Sequence, residues 1–236
     1  TFDDSIKLRM VSDVPVGVLL SGGLDSSSIL ASLNQQKFKD IQTFNIGFKE
    51  KEHNESHLAK MMSNKFGYSF HTMFLEDTAL FDKLINSTYF QDEPIMHLSE
   101  PHILALAELA KPSVKVLLSG EGADELMGGY VRYKALKYPS LLNSIGTIGH
   151  MDYFTTKPRY QKLARYSQIK NNDDLVLYNS CNIYPNDIAT TFGIINPPKN
   201  EYRNQILEDA KSLYPNNLSR QALHLDQHTY SSAPLD

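Results

Sequence analysis

The chain has 236 residues, enough for one large domain with a substantial core, and 41% hydrophobic with 21% charged residues is the balance of a globular protein. A formal net charge of −4 argues against a nucleic-acid-binding surface, and the single Cys181 excludes an intrachain disulfide or a thiolate metal cluster and fits a reducing cytoplasm. No apolar run approaches the roughly 20 residues of a membrane span, and no signal-peptide pattern opens the chain.

The first part alternates strand and helix patterns. A polar helix over residues 3 to 12 leads into Val14-Pro15-Val16-Gly17-Val18-Leu19-Leu20, an apolar run suited to a strand buried on both faces. Ser26 to Asn34 reads as a helix, Thr43 to Phe48 as a second strand, Glu55 to Phe66 as a helix, and Tyr68 to Leu75 as an alternating third strand with a helix after it. A longer connection, Phe90 to Leu98, precedes a helix near Pro101 to Ala110. Val114-Lys115-Val116-Leu117-Leu118 is a fourth buried strand, again followed by a helix. This order predicts an α/β fold with a doubly wound parallel sheet over residues 1 to 138. From residue 139 to 236 apolar strand runs vanish, and polar helices alternate with breaks at Lys157-Pro158, Tyr184-Pro185-Asn186, Asn196-Pro197-Pro198 and Tyr214-Pro215. That segment is expected to be mostly helical. With Thr1 at the start and no helix stop at Pro234-Leu235-Asp236, the chain reads as a piece of a longer protein.

Two loops carry the chemistry. Ser21-Gly22-Gly23-Leu24-Asp25-Ser26-Ser27 lies between a buried strand and a helix. Its glycines let the backbone turn sharply and approach a ligand without a Cβ, and the helix start behind it presents unpaired N–H groups that favour an anion. Ser21, Ser26 and Ser27 add hydroxyls, so the loop reads as a phosphate cradle. It is no Walker A loop, because it lacks Gly-Lys-Ser/Thr and carries an acid instead. A carboxylate beside phosphates repels them unless a cation intervenes, so Asp25 implies Mg²⁺. The plainer alternative is a strand-to-helix turn in which Asp25 and the serines only cap the helix.

The second loop, Ser119-Gly120-Glu121-Gly122-Ala123-Asp124-Glu125 followed by Gly128-Gly129-Tyr130, has the same strand-to-helix setting. Glu121 between glycines can project toward a substrate. Glu125 is expected at the solvated helix surface, and Gly128-Gly129 is expected inside the helix, at roughly 1 kcal/mol per glycine. In a doubly wound sheet the first and fourth strands can be neighbours across the point where strand order reverses, where ligands bind. Neighbouring strands lie about 4.8 Å apart, so Asp25 and Asp124 are expected to share one Mg²⁺–pyrophosphate unit.

These loops, with Asp92-Glu93-Pro94-Ile95 between them and, more loosely, Leu225 to Tyr230, resemble the synthetase domain of the glutamine-dependent asparagine synthetases, an ATP-pyrophosphatase (PP-loop) family. The resemblance implies that Ser21, Gly22, Gly23, Asp25 and Ser26 hold pyrophosphate and that Asp25 and Asp124 bind Mg²⁺. It implies that Leu19, Ile46, Ser119 and Gly120 line the adenosine pocket of ATP, and that Glu121 supports formation of an aspartyl-adenylate and attack by ammonia. It further implies a cytoplasmic ligase whose acceptor is aspartate or a related carboxylate, and leaves a homodimer open. The family's ammonia comes from an N-terminal glutaminase domain with a terminal cysteine nucleophile. Residue 1 here is threonine and Cys181 is expected to be a structural thiol, so no glutaminase is expected within this chain. Two other readings stand beside this one: a relative that aminates a sugar acid or closes a lactam, and a non-catalytic ATP-binding module.

Outside the loops, His224 and His228 are four apart on a predicted helix, and helix packing is preferred to zinc because no third ligand is in view. Arg132, Lys134 and Lys137 are expected on a solvated helix face, and His53 and His57 at a polar helix start.

Overall fold

The protein is described from a computed structural model covering residues 1–48, 54–92, 99–140, 169, 171–181, 185–195 and 200–229. The expected strings at Glu52-His53, Glu93-Pro94-Ile95, Lys157-Pro158, Tyr184, Asn196-Pro197-Pro198 and Tyr230 lie outside the described residues. Packing divides the chain into two units, Thr1–Glu121 and Gly122–Asp236.

The first unit runs α1 (Phe2–Arg9), β1 (Val16–Leu19), α2 (Leu24–Gln35), β2 (Gln42–Gly47), α3 (Ser56–Lys65), β3 (Ser69–Phe74), α4 (Asp77–Gln91), α5 (Glu100–Ala110) and β4 (Val116–Leu118). The four strands are parallel in the order β3-β2-β1-β4. Strand order therefore steps outward from β1 to β3 and then returns to the other side of β1. Gly17 stands opposite Leu117 and Val18 opposite Leu118, so the two strands with Ser-Gly at their ends are direct neighbours. The expected doubly wound α/β sheet is present.

Apolar patterning explains the layers. Val18, Leu20, Ile29, Leu30, Leu33, Ile41, Ala59 and Tyr68 form one buried cluster, joining β1 and the start of β2 to α2 and α3. Leu30 and Leu33 are fully buried, each contributing about 2 kcal/mol relative to exposure. A second cluster, Phe44, Ala110 and Val114 with Leu106 and Leu117 against it, is supplied largely by α5. Phe44 crosses so close to β1 that a Cβ on Gly17 would lie 2.8 Å from its ring, and that contact explains a glycine within the strand.

β4 departs from the sequence expectation. It is an edge strand of the sheet, with Val116 38% exposed and Leu117 and Leu118 only partly buried. A three-residue apolar run does not distinguish a central strand from an edge, because it records no neighbour. Helix α2 also begins at Leu24 rather than Ser26, which brings Asp25 into its first turn.

Among the described residues the second unit is helical: α6 (Ala123–Met127), α7 (Val131–Ala135), α8 (Asn172–Leu177), α9 (Pro185–Phe192), α10 (Glu201–Leu213) and α11 (Leu218–Thr229). Asn171 and Asn200 start α8 and α10 by accepting the N–H groups of Asp174 and Arg203, at 2.8 and 3.0 Å. Buried Leu175, Val176, Ile206, Leu207, Ala222 and Leu225 pack with Tyr133 and Leu136 into one core. Helix α10 stops before the Tyr214-Pro215 break, as the proline requires. No described helix is long and apolar enough to cross a membrane.

Candidate functional site

The first loop follows the carboxyl end of β1 and is shaped by its own serines. Ser21 Oγ accepts the Gly23 N–H at 3.2 Å and lies 3.0 Å from Ser26 Oγ, while the Ser21 N–H donates to Ser26 Oγ at 3.3 Å. These bonds close the turn. Gly22 adopts φ +90°, and a Cβ there would meet the Ala59 nitrogen at 2.8 Å, so glycine is required both by conformation and by the approach of α3. The N-cap of α2 is Gly23, and no side chain caps it. The capping role considered for Asp25 and the serines is therefore not what the loop provides. The first-turn amides keep the character of an open anion site, and Asp25 is exposed within that turn. Ser27 Oγ is buried without a hydrogen-bond partner among the described residues.

Beyond β4 the backbone folds onto this helix start. A Cβ on Gly120 would lie 3.1 Å from both Asp25 Cβ and the Ser26 nitrogen. The missing side chain lets two strand ends converge. The Glu121 N–H donates to Ser119 Oγ at 3.4 Å, turning the chain, and the Glu121 side chain is exposed at the rim.

Between the two strand ends opens a cleft of about 360 Å³. Leu19, Ser21, Gly23, Asp25, Ser26, Ile46, Ser119, Gly120 and Glu121 all line it. Two sequence-derived residues of the first loop do not line it: Gly22 contributes indirectly, by holding the loop against α3, and Ser27, expected to offer its hydroxyl to phosphate, has that oxygen buried instead. The cleft sits at the carboxyl ends of β1, β2 and β4, where strand order reverses, which is where open α/β sheets bind ligands. Its volume suits a small molecule.

Sequence reasoning missed several lining residues. Phe48 and His102, with ring centroids 5.5 Å apart, also line the cleft, and Phe44 and Leu106 add apolar lining. Asn45 had a detectable signal, as an amide in the middle of an apolar strand. Its Nδ2 donates to the Leu20 carbonyl at 2.7 Å, and its Oδ1 accepts from Ser56 at 2.7 Å and Thr72 at 3.2 Å. Asn45 thereby fixes the end of β1 from which the first loop departs. His102 had no such signal, because only tertiary packing brings α5 to the strand ends.

Asp124 lies in the second unit, in the short helix α6. Both ends of α6 are left-handed glycines, Gly122 at φ +84° and Gly128 at φ +71°. Gly128 and Gly129 terminate the helix, so the cost expected for helix-interior glycines does not apply. A Cβ on Gly129 would fall 1.9 Å from Asp124 Oδ1, so that glycine makes room for the carboxylate. Glu125 is not solvated: it is 8% exposed and accepts the Tyr130 hydroxyl at 2.8 Å. Arg132 is likewise not on a solvated face. Its guanidinium lies over the Tyr130 ring at 3.9 Å and donates to buried Asp226 at 2.9 Å. Lys134 and Lys137 are exposed as expected. Burial and the bond to Glu125 push the Tyr130 hydroxyl up to about 12.

The His224 and His228 rings lie against each other at a tilt of 35°, with centroids 4.2 Å apart, and no metal-binding group of three or more acid, histidine or cysteine side chains occurs among the described residues. Burial followed by His228 lowers the His224 pKa. His57 Nδ1 lies 3.3 Å from the Asn54 carbonyl, which fits the expected polar helix start. Burial raises the Cys181 thiol pKa, in keeping with a structural role.

Fold and cleft together define a doubly wound parallel α/β domain with a glycine-lined cleft at its switch point. The family model described as "Asparagine synthase" matches residues 1–233. The chain belongs to that family. It is 32% identical over 209 residues to "Putative asparagine synthetase [glutamine-hydrolyzing] 2" of Methanocaldococcus jannaschii, covering 88% of this chain and 37% of that protein. Against "Asparagine synthetase [glutamine-hydrolyzing] 1" of Bacillus subtilis it is 36% identical over 131 residues, 56% of this chain and 21% of the relative. Against "Amidase chyE" of Penicillium rubens it is 31% identical over 147 residues, 56% and 22% of the two chains. The chain thus spans well under half the length of each of these relatives.

Proposed function

We propose that this chain is the synthetase portion of an ATP-dependent carbon–nitrogen ligase that adenylates a carboxylate, with aspartate as the acceptor, and then aminates it to give asparagine and AMP. The observation that carries this reading is the contact of Gly120 with the Asp25–Ser26 backbone. It joins an uncapped helix start and an acidic loop at one cleft. The missing Cβ atoms of Gly23 and Gly120 leave a cradle of amides suited to phosphate oxygens, and Leu19 and Ile46 offer apolar surface for a nucleoside.

In the first step an acceptor carboxylate oxygen attacks the α-phosphorus of ATP, the bond to the bridging oxygen breaks, and pyrophosphate leaves. The first-turn amides of α2 hold that leaving group, and the hydrogen-bonded Ser21–Ser26 pair keeps the turn fixed while its charge grows. In the second step ammonia attacks the acyl carbon, a proton passes from the nitrogen to the Glu121 carboxylate, and AMP departs. Glu121, exposed on the cleft rim, has the freedom to reach the amine. Asp25 and Asp124 are each proposed as Mg²⁺ ligands, and the ion, when bound, offsets the negative charge of the polyphosphate. Ammonia is proposed to come from a glutaminase domain outside this chain, and the site of action is proposed to be the cytoplasm.

The similarity to a protein named an amidase keeps a different acceptor carboxylate as the second reading. One experiment tests both. Pyrophosphate and AMP formation from ATP and ammonium is measured in the whole protein that carries this chain, with and without aspartate. Aspartate-dependent release of both products is expected. Release driven only by another carboxylate overturns the choice of aspartate, and nucleotide binding with no AMP under any acceptor overturns the ligase reading.

A further inference from the structure

Helix α6 has an unusual anchorage. It is only five residues long, too short to be stable on propensity, so tertiary contacts set its position. Yet its apolar side chains do not supply them: Leu126 is 64% exposed and Met127 73%. Its one buried side chain is the carboxylate of Glu125. The helix is therefore held by hydrogen bonds rather than by an apolar face.

Two of those bonds come from side chains outside the helix, one of them far along the chain. Gln227 Nε2, on α11, donates to the Glu125 carbonyl at 2.9 Å, and the Tyr130 hydroxyl donates to Glu125 Oε1 at 2.8 Å. Both partners are themselves fixed. The Tyr130 ring carries the Arg132 guanidinium, which is bound to Asp226 beside Gln227 in the chain. Tyr133 also donates to Asp226 at 2.8 Å, and Ser219 to the Tyr133 carbonyl at 2.8 Å. Asp124, adjacent to Glu125, has its own carbonyl capped by the Gly128 and Gly129 N–H groups at 2.9 and 3.1 Å. Its carboxylate rests against Gly129. A tilt of α6 about these bonds would swing the Asp124 carboxylate directly.

We propose that Gln227 and Tyr130 are positioning residues for Asp124: by gripping Glu125 they orient the neighbouring carboxylate for a divalent cation. The inference rests on the reading of Asp124 as a Mg²⁺ ligand. It makes α11, nearly a hundred residues downstream, part of the metal-binding apparatus without touching the ion.

The test uses the whole protein that carries this chain, with α,β-methylene-ATP bound and Mn²⁺ as the probe, read by its electron paramagnetic resonance signal. Three variants are compared: Asp124→Asn, Gln227→Leu and Tyr130→Phe. Gln227→Leu and Tyr130→Phe are each expected to weaken Mn²⁺ binding about tenfold. In turnover they raise the Mg²⁺ concentration for half-maximal rate while kcat at saturating Mg²⁺ stays near that of the parent protein. A fall in melting temperature with unchanged Mn²⁺ affinity in both variants, while Asp124→Asn loses affinity, overturns the positioning role. Unchanged affinity in Asp124→Asn overturns the ligand reading beneath it. Tyr130→Phe removes one oxygen only, so it reports even if the leucine variant misfolds.

Discussion

In the two units the acidic residues proposed for the chemistry are positioned by opposite means. In the first, Asp25 and Glu121 sit at the ends of parallel strands whose bodies are apolar, and a sheet with buried Val18 and Phe44 supplies the rigidity. Backbone placement does the work, and the side chains stay exposed. In the second, Asp124 belongs to a one-turn helix without apolar burial, held by Glu125, Tyr130 and Gln227. A sheet positions a group at its strand ends through many small contacts and tolerates local change, whereas a polar network concentrates the same task in a few bonds.

The sharpest break in that comparison comes from the acids of the first unit. Asp25→Asn and Glu121→Gln should each lower AMP formation by roughly a hundredfold or more. Both side chains are exposed, so stability should stay within about 0.5 kcal/mol of the parent. Retained turnover in either variant removes that residue from the chemistry.

Next in size, Asp226→Ala in the second unit should cost about 3–5 kcal/mol, because it strands the partly buried Arg132 guanidinium. Denaturant unfolding monitored through α11 amide exchange checks this, and a cost under about 1 kcal/mol would mean the network is ornamental.

A smaller effect is expected where backbone, not side chain, positions the site. Gly22→Ala places a methyl at φ +90° against the Ala59 nitrogen and should cost about 1–3 kcal/mol, with weakened ATP binding by calorimetry. Unchanged affinity would show that the loop need not press on α3.

The smallest effect separates the units by pH. The Tyr130 pKa is raised, from an ordinary 10.0 to about 12. Its folded-state contribution is therefore complete below pH 10 and is lost as pH rises through about 12. Tyr130→Phe should flatten the fall in melting temperature across that range, only partly, because Tyr133 is also pushed up by burial and by Asp226. An identical alkaline limb in the two proteins would refute the linkage.

How much was legible varies along the chain. The strands at Val16–Leu19 and Gln42–Gly47 were readable, the first as a short continuous apolar run and the second as a short β-prone stretch around Phe44 and Ile46. The Ser-Gly loops were readable because a close backbone approach requires glycine, whatever the partner. Glu125 and Arg132 were misjudged, since charge in a polar-looking helix says surface unless a buried partner is known. For Arg132 that partner, Asp226, lies some ninety residues away, and for Glu125 it is the hydroxyl of Tyr130.

The amino-acid order by itself determined the alternating elements, the two glycine turns and the acids at their tips, because each depends on local conformation and hydrophobic period. Only the tertiary structure decided that β4 is an edge, that Phe48 and His102 line the cleft, and that Gln227 reaches Glu125. Those outcomes depend on which distant surfaces meet, and nothing in a residue's neighbours along the chain encodes its neighbours in space.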